Sequence, residues 1–355
     1  MSDWGPLHLR TPVASHVFGG RVIADRLGRD DLPDGRVAET WEVSDVSGMV
    51  SVVSSGPWEG WSLRDLTAAH PQEVVGRGWS GPAFPVLTKF IDASGVLPVH
   101  LHADDATARR LEAAPHGKTE AWHVLDAAPG ATALCGTREG VDTDTLRRAL
   151  LAEDHDAVMR RLPVRPGETI YVPGGTLHSF GPDTLVYEIE QTSDLQQHAM
   201  PWRMEDGSRL DERQWHDNLE ALLAEWDPAP RPGFRPGLAV PAGDGVVRVV
   251  LTAGPHFALE RWAVSSVDTA RLRFDTARIL SSAGAGVRLR GDGFDETLGP
   301  GRTVLVPAAL GEVEIVGPAD VLVGYLPDLE QDVRAPLLAA GHGVAAVAAL
   351  GEGLG

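Results

Sequence analysis

The sequence predicts an all-β chain of two jelly-roll units, with a small helical insertion and a short helical tail. Three observations carry that prediction. Short runs of β-branched and aromatic residues recur between Gly- and Pro-containing turns, the pattern of a sandwich or barrel. A proline-dense stretch, 227–237, can enter neither a sheet nor a helix and divides the chain. Before that divide stands Pro166-Gly167-Glu168-Thr169-Ile170-Tyr171-Val172-Pro173; after it comes Pro300-Gly301-Arg302-Thr303-Val304-Leu305-Val306-Pro307. The echo reads as a duplicated unit, with a coincidence of two Pro-Gly turns as the alternative.

In chain order, strands are expected at 39–44 and 49–53, then a helix from Ser62, whose hydroxyl is placed to cap it. Gly81-Pro82 returns the chain to extended structure, and a strand follows over 86–91. Asp104-Asp105 start a short helix through Leu111, a strand opens at Glu120, and residues 131–136 are its expected hairpin partner. Leu146, Leu150, Val158 and Leu162 lie on helical spacing, so 143–162 is predicted as the helical insertion. Strands at 169–172 and 185–190 and an amphipathic helix over 211–226 complete the first unit. Beyond the divide, strands are expected at 246–251, 258–264, 277–281, 286–290, 302–306, 313–316 and 321–325. One helix over 328–340 is predicted in the tail, and the small, apolar end 341–355 is either frayed or packed at an interface. The expected domains are 1–235, 236–326 and a tail, 327–355.

Composition narrows the function. A formal charge of −19 gives no basic footprint for non-specific nucleic-acid binding, and requires a locally cationic pocket for any anionic substrate. No apolar run approaches the roughly 20 residues of a membrane span, and the start of the chain lacks the basic-then-apolar pattern of a signal peptide. The single cysteine, Cys135, suits a reducing compartment, so a cytoplasmic protein with no nucleic-acid or membrane partner is expected. Of 31 basic residues only Lys89 and Lys118 are lysines. Both fall in the stretch 84–125, which also holds a histidine pair. A compact ammonium answers to burial in a way that a guanidinium does not, which makes both lysines candidates for the site.

Within 84–125, His100 and His102 alternate with Val99 and Leu101, so an extended backbone puts both imidazoles on one face. Glu120 opens the next strand, and His178 follows the Pro173-Gly174-Gly175 turn. Three imidazoles and a carboxylate converging from neighbouring strands make a metal site for zinc, or for another divalent first-row ion such as Mn, Fe, Co or Ni.

Residues 7–225 resemble the class I (cupin) mannose-6-phosphate isomerases of bacteria. The segments that carry this are Phe18-Gly19-Gly20, Glu39-Thr40-Trp41-Glu42-Val43-Ser44, 84–93 with its KFIDA, 117–130 with its GKTEAW, 164–178, and the run from Tyr187 to Ser193-Asp194. The resemblance implies two cupin barrels, a zinc site on His102, Glu120 and His178, and a cis-enediol(ate) route between mannose 6-phosphate and fructose 6-phosphate or a related sugar. His100 stands where that family usually has glutamine, and Ala103 where it has proline. His198 stands where it has an arginine, the nearest downstream arginine being Arg203. On this reading His100, His102, Glu120 and His178 hold the metal. Lys118, Glu188, Asp194 and His198 are the catalytic candidates, and Lys89 and Arg203 contact substrate. An isomerase of a non-phosphorylated sugar, a three-His-one-Glu cupin oxidoreductase and a metal-bearing sugar-binding protein are the other options. The sequence leaves the oligomeric state open.

Overall fold

The structure, a computed structural model, describes residues 4–76, 78–265 and 267–355. The first three residues of the expected first domain lie outside them, as do Arg77 and Ser266. Among the described residues the architecture is sheet upon sheet, all pairings antiparallel. A six-stranded sheet and a five-stranded sheet make the first unit; a six-stranded and a four-stranded sheet make the second.

The two larger sheets have corresponding orders. In the first, the strands run Thr169–Val172, Glu120–Ala127, Thr184–Gln191, Val86–Ala93, Glu39–Val43 and Val13–Ala14. In the second they run Thr303–Val306, Arg278–Ser282, Ala319–Tyr325, Ala258–Val264, Val246–Ala253 and Leu238–Pro241. The Pro-Gly echo falls on equivalent edges of the two series. Val172 pairs with Glu120, and Val306, its counterpart in the echo, pairs with Arg278.

Strand alternation decides what each face does. On Thr184–Gln191, Tyr187 and Ile189 point away from the site and join Leu259, Ile279 and Leu322 of the second unit in one apolar cluster. The Tyr187 hydroxyl also meets the Ser281 hydroxyl at 2.9 Å. Glu188 and Glu190 point the other way. The two large sheets therefore pack back to back, and a second apolar cluster of the first unit, with Ile91, Trp122, Val124, Cys135 and Phe180, lies between its own two sheets. The second unit has its counterpart around Val250, Leu280, Leu289 and Ile315.

Local signals explain much of the rest. The Ser62 hydroxyl accepts from the Asp65 amide and starts the helix Leu63–Ala69. Asp211 and Gln214 form a reciprocal capping box at the start of the helix Glu212–Glu225. The strand expected at 49–53 shrinks to Val52–Val53. Two further expectations are corrected. Residues 132–137 form a strand, but not a hairpin with the Glu120 strand. The turn at Ala128–Ala131 carries the chain to the facing sheet, where Thr132–Thr137 pairs with His178–Phe180 and Met159–Pro163. The helical insertion ends at Val158, after Thr143–Leu151 and His155–Val158. Residues 159–163 are a strand, because their backbone is taken up by Thr132–Thr137 and Pro163 cannot continue a helix.

Strands at Leu238–Pro241, Thr269–Arg273 and Phe294–Leu298 had no clear sequence signal. In the tail, helical turns at Leu329–Arg334 and Ala335–Ala339 match the predicted helix. The end of the chain is packed: Val347, Leu350 and Leu354 are buried in the second unit's core.

Candidate metal centre and active site

Histidines make a row across the five-stranded sheet. His198, His100 and His178 are cross-strand neighbours in that order, and Cys135 follows His178. The strand under His100 is only His100–Leu101, so His102 lies just beyond regular pairing. Alternation still holds: Val99 and Leu101 are buried in an apolar cluster while both imidazoles face the site. Glu120 comes from the facing sheet.

Two glycines let the His102 segment sit this deep. A Cβ on Gly117 would lie 2.1 Å from the Ala103 carbonyl oxygen, and one on Gly174 would lie 2.6 Å from Asp104 Cα. Both backbones press on Ala103-Asp104, directly after His102. The GKTE and PGGT segments thus position the ligand turn by having no side chain at those points.

Each imidazole is oriented by a backbone carbonyl. Nδ1 of His100 lies 2.8 Å from the Pro98 oxygen, that of His102 2.7 Å from Leu195, and that of His178 2.7 Å from Thr176. Those bonds put the proton on Nδ1 and aim the Nε2 lone pairs inward. The three rings offer ligand atoms within 4.8 Å of one another. His100 Nε2 and His178 Nε2 are 3.0 Å apart. Glu120 Oε2 lies 3.1 Å from His102 Nε2, and Oε1 lies 3.1 Å from His178 Nε2. Facing lone pairs and a buried carboxylate repel unless a cation sits among them. His102 Nε2 and Glu120 Oε2 also have no hydrogen-bond partner. The donor set fits zinc or a similar divalent ion.

Charge and burial prepare the ligands. Burial, with Lys118 nearby, takes His102 down to about 3. Burial beside His178 and His102 likewise holds His100 well below the usual imidazole range. Both rings are therefore neutral, the form that binds a metal. Burial alone would raise Glu120, but the Lys118 ammonium beside it holds it well below the carboxylate range. Trp122 fixes its orientation, Nε1 donating to Oε1 at 2.9 Å.

Beside the imidazoles lies a cavity of about 280 Å³, lined among others by His16, Glu39, Trp41, Lys89, Lys118, Glu188, Asp194, His198 and Glu205. Of the residues singled out from sequence, His100, Lys89, Lys118, Glu188, Asp194 and His198 reach its wall. Arg203 does not. Its guanidinium donates to Gln214 Oε1 at 2.9 Å and to Arg209's carbonyl at 3.4 Å, which ties it to its own turn.

Glu190 was missed, and it is central. Its Oε2 lies 2.7 Å from Lys118 Nζ and its Oε1 3.0 Å from Lys89 Nζ. The signal was present, because Glu188 and Glu190 are two apart on a strand and must share a face. Burial opposes the charge on Lys118, but Glu190, Glu120 and Glu188 outweigh it and raise the ammonium well above its ordinary value. Glu188 goes the other way, pushed well above the carboxylate range by burial and by Glu190 and Glu120. His198 presents a buried Nε2 with no partner, and burial lowers its proton affinity.

Double-cupin architecture and a three-imidazole, one-carboxylate pocket define a metal-dependent cupin enzyme. Comparisons with known proteins then give the family. The mannose-6-phosphate isomerase of Streptococcus mutans is 33% identical over 263 residues, covering 73% of this chain and 79% of that protein. Mannose-6-phosphate isomerase ManA of Bacillus subtilis is 26% identical over 322 residues, covering 90% and 99%. No family model matches. Among solved structures, the mannose 6-phosphate isomerase of Bacillus subtilis superposes with a TM-score of 0.81 at 24% identity, covering 91% of this chain and all of that one. A zinc-bound mannose 6-phosphate isomerase superposes with a TM-score of 0.72 at 15% identity, covering 91% and 100%. The chain belongs to the mannose-6-phosphate isomerase family.

Proposed function

We propose that the chain is a zinc-dependent aldose–ketose isomerase. It moves a proton between C1 and C2 of a sugar through a cis-enediol(ate). The pair is mannose 6-phosphate and fructose 6-phosphate, as the relatives' names have it, or a related sugar. The observation that carries this is the convergence of three inward lone pairs and Glu120 beside a cavity that also contains an unpartnered base, His198.

In this reading His100, His102, Glu120 and His178 hold the ion. Bound there, it supplies Lewis-acid stabilisation of the negative charge that develops on the sugar oxygens. The remaining work falls to the chain. The ammonium of Lys118, anchored by Glu190 and Glu120, retains a hydrogen to donate to a sugar oxygen. Neutral His198 has a free Nε2 that can take the proton from one carbon and return it to the next. Glu188, kept protonated by its neighbours, can donate to a hydroxyl oxygen. Asp194 at the rim accepts from sugar hydroxyls, and Lys89 fixes Glu188 and Glu190 in place.

Residues 1–235 form the metal-bearing unit, 236–326 the second cupin unit and 327–355 the tail. A small-molecule partner and a cytoplasmic setting belong to the same reading. No helix among the described residues is long and apolar enough to cross a membrane.

One observation favours a second reading. The third imidazole, His100, makes a three-His-one-Glu set that also suits iron or manganese for oxygen chemistry. Proton NMR of the zinc-loaded protein in heavy water, with free and phosphorylated mannose and fructose, separates the two. The isomerase incorporates deuterium at C1 or C2 without oxygen. Absence of exchange, with oxygen uptake by the iron or manganese form, selects the oxidoreductase.

A further inference from the structure

The regular ladder of the large sheet opens at Glu120, so Lys118 stands just outside it. The amides of 117–119 must therefore find their acceptors elsewhere. Gly117 N–H donates to Asp105 Oδ1 at 2.9 Å, Lys118 N–H to the Ala103 carbonyl at 3.0 Å, and Thr119 N–H to Gln191 Oε1 at 2.8 Å. The two side-chain acceptors are themselves joined, because Gln191 Nε2 donates to the same Asp105 oxygen at 3.0 Å. Lys118 thus sits between two amides held by one Asp105–Gln191 clamp.

The adjacent aspartates divide the work. Asp104 accepts from the Thr107 amide and caps the short helix, while Asp105 turns to the loop. The clamp also joins segments that carry the site: Asp105 lies just beyond the His102 turn, and Gln191 directly follows Glu190. Strand alternation puts Gln191 on the face opposite Glu190. Neither clamp residue lines the cavity beside the imidazoles. Both line a second cavity of about 250 Å³, shared with His256 and Leu326 of the second unit. Any effect on the sugar has to pass through the loop that they hold.

Resting on the isomerase reading above, we propose that Asp105 and Gln191 are positioning residues for Lys118. They fix the backbone on both sides of it, so that its ammonium meets the sugar oxygen where charge develops. Lysine has a long, flexible stem. Glu190 at 2.7 Å and Glu120 at 3.2 Å anchor its tip, and the clamp anchors its root. A displacement of about 1 Å at such a group costs about 10²-fold in rate.

The test uses the zinc-loaded protein and exploits its having only Lys89 and Lys118 as lysines. With ¹³C-lysine incorporated, NMR reads the Cε signals of both, and Lys118→Ala identifies which are which. In Gln191→Leu and in Asp105→Ala the Lys118 signals should move toward those of free lysine while the Lys89 signals stay in place. Deuterium exchange at C2, with saturating mannose 6-phosphate or free mannose, should fall about 10–100-fold with zinc retained. Asp105→Asn keeps an oxygen for both donors and should stay within about threefold of the wild type. In a Lys118→Ala background, Gln191→Leu should cost no further rate. Should either truncation fail to fold, Gln191→Glu keeps the side chain's size, breaks its bond to Asp105 and carries the same expectation. Lys118 signals that stay in place, or that move together with those of Lys89, overturn the proposal. So does a full further loss of rate in the Lys118→Ala background. A wild type that exchanges neither sugar, yet whose Lys118 signals respond to the variants, sinks the isomerase and upholds the clamp.

Discussion

Raising the pH from about 5 to about 8 should weaken the support behind His198. Gln197, its neighbour in the chain, donates from Nε2 to Glu225 at 2.9 Å and to Glu112 at 3.3 Å. Burial, and a hydrogen bond that the protonated Glu225 carboxyl donates to Glu112, push Glu225 up to about 7. A carboxyl group with a folded pKa above its unfolded value binds a proton more tightly when folded. Its stabilising contribution is complete below the unfolded value, and is lost as pH rises through about 7.

From an ordinary carboxyl near 4.5, the full shift corresponds to roughly 3 kcal/mol. The pair lies near the protein surface, with Glu112 only half-buried, so solvent screening reduces this to about 1–2 kcal/mol. Urea denaturation of the wild type and of Glu225→Gln at several pH values isolates the effect, because every other titrating group is common to both. The wild type should lose about 1–2 kcal/mol more than the variant across that interval. Parallel stability curves for the two proteins would refute the shared-proton argument.

Glu120→Gln removes the one anionic donor among the imidazoles and leaves Lys118 with Glu190 alone; zinc affinity should fall at least about 100-fold, read by metal analysis after dialysis. His198→Ala should retain zinc, because His198 is not part of the donor cluster, yet lose about 10²–10⁴-fold in the rate of C2 exchange; loss of metal together with rate would mean that it acts as a ligand. Gly174→Ala forces a methyl against Asp104 and should cost about 1–3 kcal/mol in thermal or urea unfolding, with weaker zinc retention because His102 must shift.

Much of the site was legible because metal chemistry leaves local marks. The His-x-His alternation, the strand-opening Glu120 and the turn before His178 each follow from a strand's period of two or from Gly and Pro geometry. The capped helices at Ser62 and Asp211 were legible for the same reason: their partners lie three residues away. What stayed hidden depends on contacts distant in sequence. Nothing within 132–137 says which sheet it will join, and the turn before it decided that. His16, Glu39 and Glu205 reach the cavity wall from segments far from the ligand motifs. Arg203 was a reasonable candidate by proximity to His198, but proximity along a chain does not fix direction. A turn bridged by Trp202 and Arg209 takes its guanidinium elsewhere.

The echo between the two units explains why, among the described residues, only one carries the donor cluster. Aligned through Val172 and Val306, the place of Glu120 in the first sheet is taken by Arg278 in the second. Counting along the paired strands, Glu260 then takes the place of Lys89. The charges are exchanged at both positions. Arg278 is buried, donates to the Thr276 carbonyl at 2.7 Å and lies 4.1 Å over the Tyr325 ring. Glu260 accepts from Arg248 and from Trp262 Nε1, as Glu120 accepts from Trp122. Each sheet thus buries an acid oriented by a tryptophan two residues on. At the position of Glu120 the second carries the guanidinium of Arg278, and an arginine cannot give up its charge to become a ligand. A single architecture therefore yields one unit able to bind a metal and one that supports it, and the difference rests on which sign of charge stands opposite the Pro-Gly edge.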